Sequence, residues 1–513
     1  MSLTLSLPTV QPSPANPPEI RLPKVVAWLA EVSRRDPADT ARLVGDALAA
    51  TNRVAMSSGK RLELSDAYWT TASVLWPHLE QQFMRAAHPL AGAALEAAKA
   101  SLTLGSELAT AYKHLLSSEA AKRLSLGGPR HLVVLIHRCL QCTTRIFVNS
   151  YLSYAPVPAR TWHDAHMIYA FARERGLHLT PVAPDQADAT PERITIQALL
   201  LALANPYGFL PGQLPVVLRY VQQHAHLAKL TDVSPVHRMA KAVAIVPVGH
   251  DFPPFSANKG GAIEGNKLFL LTFDLAFQIQ EQLQMLETGG EAPPHVGRDP
   301  SARTQYTALL RRLLRQWAIP PARQFNRLPS RARVVMCAGL SGIWQYSRGA
   351  HAGVAKPSGL PPMATCQVMN HTPAGYALRQ TDSAPATLRI GELIALRIEG
   401  RGGLQVAMVR WFRNTLKGSG LEFGCELLSD APEAAAAVAE DGSTGALIPV
   451  VVLPEERGTG ADGASPQILV PAGAFTFEQA ISLKRGRDTS FAVLTKLVEQ
   501  GPGFELFEFI TVH

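Results

Sequence analysis

The chain has 513 residues, 47% hydrophobic and 18% charged, which is enough apolar material for several cores and so for two to four domains, and excludes disorder of the whole. No apolar run approaches the roughly 20 residues that cross a bilayer, and five cysteines in so long a chain make no disulfide framework. The net charge of +8 is local: of 49 basic and 41 acidic residues, positions 298–333 hold nine arginines and one acid, Asp299, and the remainder balances at 40 each. Such a cluster suits a discrete anionic ligand better than the broad basic face of a duplex binder, so a nucleic-acid partner is not expected.

Residues 1–22, with Pro8, Pro12, Pro14, Pro17 and Pro18, predict a disordered Pro-rich tail in place of a signal peptide, and hence a cytoplasmic protein. From 23 to 230 the pattern is helical, opened by Asp36-Pro37 and Ser65-Asp66 and broken at Gly176, Pro206 and Pro211. It predicts an all-α domain of about eight helices stacked as hairpins. Thr161 to Gly176 is like one unit of a tetratricopeptide hairpin, without a second copy at a fixed period. Two histidine clusters in this region invite a metal reading, Cys139 and Cys142 beside His137, and His163 and His166 around Asp164. Neither has a further ligand at suitable spacing, so burial or a structural role is expected and no metal is assigned.

Residues 231–290 predict a β-hairpin plus helix: strands at 242–248 and 267–273, then a Gln-rich helix at 276–287. The loop between them contains Asn258-Lys259-Gly260-Gly261 but lacks the Gly-Lys-Ser/Thr ending of a phosphate loop, so a hairpin loop is expected. Residues 291–322 predict a basic linker helix. Ser301 caps it, Tyr306, Leu309, Leu310, Leu313, Leu314 and Trp317 form its apolar stripe, and Pro320-Pro321 ends it.

Two short pieces follow that carry chemistry. Arg323-Gln-Phe-Asn-Arg327 offers two guanidiniums on a segment bounded by prolines; guanidinium pairs bidentately with phosphate and stacks on flat rings, so the pair suits a ligand with phosphates and purines. Asn370-His-Thr-Pro-Ala-Gly375 supplies two short polar side chains and a glycine, the composition of a turn between two strands.

At these residues the chain resembles the PilZ family, bacterial receptors for cyclic di-GMP, whose signature is Arg-x-x-x-Arg followed by Asp/Asn-x-Ser-x-x-Gly on a small β-barrel. Thr372 stands where the family has serine. The resemblance continues through the strand-like 333–337, Ile390-Gly391-Glu392, Val409-Arg410-Trp411 and Gly420-Leu-Glu-Phe-Gly424, and covers 323–430. A longer gap than usual separates the motifs, and 347–362 reads as an inserted Gly/Pro/His loop. The resemblance implies that Arg323 and Arg327 engage phosphates and stack on guanine, that Asn370 and Thr372 hydrogen-bond guanine and phosphate across the barrel face, and that Gly375 shapes the turn. Cyclic di-GMP is then the ligand, with no other cofactor.

After the PilZ-like antiparallel barrel, 431–445 predicts an Ala/acidic connector. Residues 446–513 predict a further small β-rich module, with strands at 467–470, 475–477, 480–483, 491–494 and 504–509. The fold class expected is multidomain α+β. Gly339-Leu-Ser-Gly342 is not a nucleophile elbow, and the chain has no His-Glu-x-x-His, Walker or dinucleotide motif, so an enzyme is not expected. The function expected is a second-messenger receptor that relays binding to an interdomain change or to a protein partner through the helical region. The alternative is a scaffold whose PilZ-like barrel no longer binds ligand.

Overall fold

The computed structural model describes residues 3–11, 16–122, 128–235, 241–259, 265–296, 299–318, 325–352, 363–382, 387–414, 420–442, 445–454 and 465–512. These form two compact units. The first comprises Met1–Ala86 with Leu90–Arg323, the second Ala87–Pro89 with Gln324–His513.

The first unit opens with eight helices: α1 (Leu22–Val32), α2 (Pro37–Asn52), α3 (Ser58–Phe83), α4 (Gly92–Ala120), α5 (Gly128–Leu152), α6 (Thr161–Glu174), α7 (Pro191–Leu203) and α8 (Gln213–His224). Their ends follow local chemistry. Asp36 caps α2 by accepting from Ala38 and Asp39 N–H, and Thr190 caps α7 by accepting from Arg193 N–H, each satisfying helix donors that have no intrahelical partner. The alanines of α4 let neighbouring helices approach closely: Ala97, Ala98, Ala109 and Ala111 are buried. In α5, His137 is buried with Cys139 and Cys142, and among the described residues no group of three His, Cys, Asp or Glu could hold a metal ion.

A small sheet follows, built from β1 (Lys229–Thr231), β2 (Val243–Pro247), β3 (Phe255–Ser256) and β4 (Lys267–Leu271) in the order β1-β4-β2-β3. The two longer strands are those legible from the sequence. The short edge strands β1 and β3 were not, because two or three residues carry no periodicity. Helices α9 (Phe273–Glu287) and α10 (Pro300–Trp317) complete the unit. The Trp317 indole N–H donates to Leu200 O at 3.0 Å, and the Thr272 hydroxyl to Trp317 O at 2.6 Å, which tie α10 to α7 and to the sheet end. No described helix is long and apolar enough to cross a membrane.

The tail departs from expectation. Residues 3–11 are extended against the helices instead of disordered: Gln11 pairs with Val54 as a parallel bridge, and Ser6 is held by side chains of α4 and α6.

The second unit holds two barrels. In the first, β5 (Leu328–Pro329), β6 (Arg333–Ala338), α11 (Leu340–Ala352), β7 (Ala364–Thr372), β8 (Gly375–Gln380), β9 (Leu393–Ile398), β10 (Gln405–Asn414) and β11 (Leu421–Ser429) follow in sequence. The strands run β5-β7-β6-β9-β10-β11-β8, and the β7–β8 pairing closes six of them into a ring with β5 outside on β7. The expected inserted loop at 347–362 is corrected at its start: Ser347 to Ala352 are the last turns of α11, because Ile343 and Ser347 lie one turn apart on a buried face. Residues 353–362 lie outside those described.

The second barrel is β12 (Glu433–Ala439), β13 (Ile448–Leu453), β14 (Gln467–Pro471), β15 (Ala480–Arg485), β16 (Asp488–Gly501) and β17 (Phe504–Val512), closed in the order β12-β13-β14-β17-β16-β15. The stretch expected as a connector thus contains β12. Alanine is a poor strand former in general, but Ala435, Ala437 and Ala439 point into the barrel and leave room for Phe507, Phe509 and Phe475. Small residues facing large ones are what a narrow barrel needs. Phe475 to Phe477, expected as a strand, lie in the β14–β15 connection.

The two barrels share a core. Ile343 of α11 packs with Leu393, Val406 and Met408 of the first barrel and with Val451, Leu469 and Leu506 of the second, and the Trp344 indole N–H donates to Ala435 O at 2.7 Å. Arg410 adds a polar clasp between Glu426 and Glu499.

Candidate functional site

The site grows out of the β7–β8 hairpin. Thr372 pairs with Gly375 across the two-residue tip Pro373-Ala374. The glycine is required by space: a Cβ on Gly375 would stand 2.1 Å from Cys425 O on the adjacent strand, and backbone cannot yield. The Thr372 hydroxyl reaches Gly375 O at 3.5 Å, the edge of hydrogen-bonding distance.

A β-bulge decides which way the polar residues face. Val368 pairs with Leu378, yet Asn370 pairs with the very next residue, Ala377, so Met369 is the extra residue on β7. Val368 and Leu378 are buried barrel residues. Without the bulge Asn370, two residues on, would share their inner face; with it, Asn370 and Thr372 turn to the outer face with Ala377. A second irregularity at Arg410 does the same for β10: Val409 faces in and Trp411 out.

The outward residues line up across five strands. Trp411 pairs with Gly424, Gly424 with Ala377, Ala377 with Asn370, and Asn370 with Pro329. Directly opposed residues share a face, so Gly424 and Ala377, both buried, form a floor of small residues that runs from beneath an indole to a carboxamide. The indole lies over Gly424: a Cβ there would be 2.0 Å from Trp411 Nε1. Beside this row stand Arg379 and Glu422, paired at 2.7 Å, and the Arg413 guanidinium 5.3 Å from the Trp411 ring centroid.

The arginine arm enters from β5. Leu328 pairs with His371 and Pro329 with Asn370, so continuing the register by one residue brings Arg327 level with Thr372. Arg327 and Phe325 are exposed. The long sequence gap between the motifs is therefore spanned by β6, α11 and most of β7, with the two ends side by side. Arg323 lies outside the described residues. Of the expected site residues, Arg327, Asn370, Thr372 and Gly375 come together on one outer face. Trp411, Ala377 and Gly424 join them; Trp411 and Gly424 were legible only as strand markers, and Ala377 had no signal, because its part is to be small.

The geometry can be set beside known proteins. Three family models match the chain in order: the N-terminal domain of the cyclic-di-GMP receptor FimW over 23–236, its middle PilZ domain over 348–435, and its C-terminal β-barrel domain over 434–512. The middle match takes in Asn370, Thr372 and Gly375 and begins after the arginine motif. The cyclic-di-GMP receptor FimW of Pseudomonas aeruginosa is 23% identical, over 84% of this chain and 81% of its own length. With the PilZ match on the barrel whose outer face carries the Asn-x-Thr-x-x-Gly turn, the chain belongs to the PilZ-domain family.

Proposed function

We propose that the protein is a cyclic di-GMP receptor whose ligand lies on the outer face of the first barrel, with Arg323, Arg327, Asn370, Thr372 and Gly375 as the binding residues. One observation carries the reading: the β5–β7 register sets the chain beside Arg327 against the Asn370–Thr372 strand, although 42 residues of sequence separate Arg327 and Asn370 at their nearest. Guanidinium against phosphate gives charge-assisted, bidentate contacts. Purine rings stack on flat apolar surfaces, and the Trp411 indole lying over Gly424 supplies one. The asparagine side chain carries both a donor and an acceptor for a guanine edge.

Binding, not catalysis, is the role inferred. The contacts from the arm form only when it closes on the ligand, so ligand favours the closed arm by their free energy, which is how occupancy biases a conformational equilibrium. The helical unit is the proposed surface for a protein partner, in the cytoplasm where the messenger is made and read. Calorimetric titration of the full chain with cyclic di-GMP, with GTP as control, tests the reading. Selective binding that Arg327→Ala weakens by about tenfold or more is expected, and no binding at high micromolar ligand would leave the barrel a scaffold.

A further inference from the structure

The extended tail is held in the first unit as a bound peptide is held. Both polar backbone groups of Ser6 are read by side chains: its N–H donates to Asp164 Oδ1 at 3.1 Å, and its C=O accepts from Lys113 Nζ at 3.0 Å. Its hydroxyl accepts from Arg160 Nε at 3.1 Å. Lys113 and Asp164 are also paired with each other at 2.9 Å, and their side chains are only 12% and 4% exposed. A buried ion pair is costly unless its remaining lone pairs and protons are used, and here the tail shares them with His163, whose Nδ1 lies 3.2 Å from Asp164 Oδ1. Five residues on, Gln11 N–H donates to Arg53 O at 2.7 Å and Gln11 O accepts from Ala55 N–H at 3.4 Å, so the α2–α3 connection adds one backbone rung.

The receiving surface is preset. Arg160 has φ +69°, left-handed and unfavourable for a residue with a side chain. It is pinned there by Asp251, which accepts from the backbone N–H of both Arg160 and His163. Such strain marks ligand clamps when the surroundings enforce it. The tail, by contrast, is weakly committed: none of residues 3–11 is buried, and Leu3, Leu5 and Leu7 are all partly open to solvent.

We propose that Lys113, Asp164, Arg160 and the edge at 53–55 form a peptide-binding site for an extended segment with a small hydroxyl residue between leucines. The N-terminal tail fills it in cis, and a partner protein's segment of the same chemistry enters by displacing the tail. Backbone addition plus a side-chain clamp is a recurring mode of extended-peptide recognition. The proposal specifies the surface for the partner suggested above, and its test uses no cyclic di-GMP, so the two readings stand or fall separately.

All five native cysteines are buried, so Thr4→Cys gives one site for a fluorophore on the full chain. A short tether holds the tail at an effective concentration of about a millimolar, so the competitor, a synthetic peptide of residues 1–14, is added to several times that level. Saturable loss of anisotropy is expected, with the Ser6→Val peptide at least fivefold weaker. Arg160→Gly, which relieves the backbone while removing the guanidinium, should by itself raise tail mobility, whereas Asp164→Asn also perturbs the buried lysine. If neither peptide releases the label, the tail is a fixed structural element; if both do so equally, the Ser6 hydroxyl is not read; either result overturns the proposal.

Discussion

Pro329 stands opposite Asn370 in the β5–β7 ladder, and Leu328 opposite His371. The short edge strand β5 fixes where the described part of the arm begins. Arg327→Ala should weaken cyclic di-GMP binding by about ten- to a hundredfold, the worth of one charge-assisted contact at about 1.5–3 kcal/mol. Circular dichroism and melting temperature should stay unchanged, since Arg327 is exposed. Calorimetry on the variant checks it; unaltered affinity would remove Arg327 from the site.

Gly375 makes the opposite kind of prediction. Its Cβ position falls on Cys425 O, so Gly375→Ala forces β8 away from β11 and should cost about 3 kcal/mol, at the upper end for overpacking. A fall in melting temperature, accompanied by loss of binding, is expected; a fully stable variant would show that the hairpin tip shifts freely.

The floor between Trp411 and Asn370 can be tested without touching a polar group. Ala377→Val suits a strand but adds two methyl groups at a buried position, so a loss of about 1–3 kcal/mol of stability is expected and binding is read on variant protein shown to be folded by circular dichroism. Binding should fall at least tenfold, or about 1.4 kcal/mol, and the change in Trp411 fluorescence on adding ligand should shrink with it. Full binding by this variant would move the ligand off that floor.

Acid should destabilise the first unit through its buried histidines. Burial lowers His166 from 6.5 to about 4, against the raising effect of its hydrogen bond to His250 O, and burial likewise lowers His137 and His114 to about 4. Each has a folded pKa below its unfolded one. Between about pH 6.5 and 4 the unfolded chain therefore takes up the proton that the folded chain refuses. Stability is whole above that window and falls through it by as much as about 1.4 kcal/mol per pH unit for each such histidine. Denaturant titrations across this range should show the slope, and His166→Gln should remove about one proton's worth.

The local signals in the chain determined much of this protein. Caps such as Asp36 and Thr190, the apolar stripe of α10, and the Arg-x-x-x-Arg and Asn-x-Thr-x-x-Gly spacings depend on near neighbours and specify their own geometry. The tertiary structure decided what depends on distant partners. The bulge at Met369, which turns Asn370 and Thr372 outward, exists only because β8 fixes the register of β7. The strand β12 forms from alanines because a barrel packed with phenylalanines needs small residues opposite them, and residues 3–11 lie against the helices because Lys113 and Asp164, far along the chain, meet at Ser6. Propensity belongs to the residue, but register, room and counter-charge belong to the partner that folding brings.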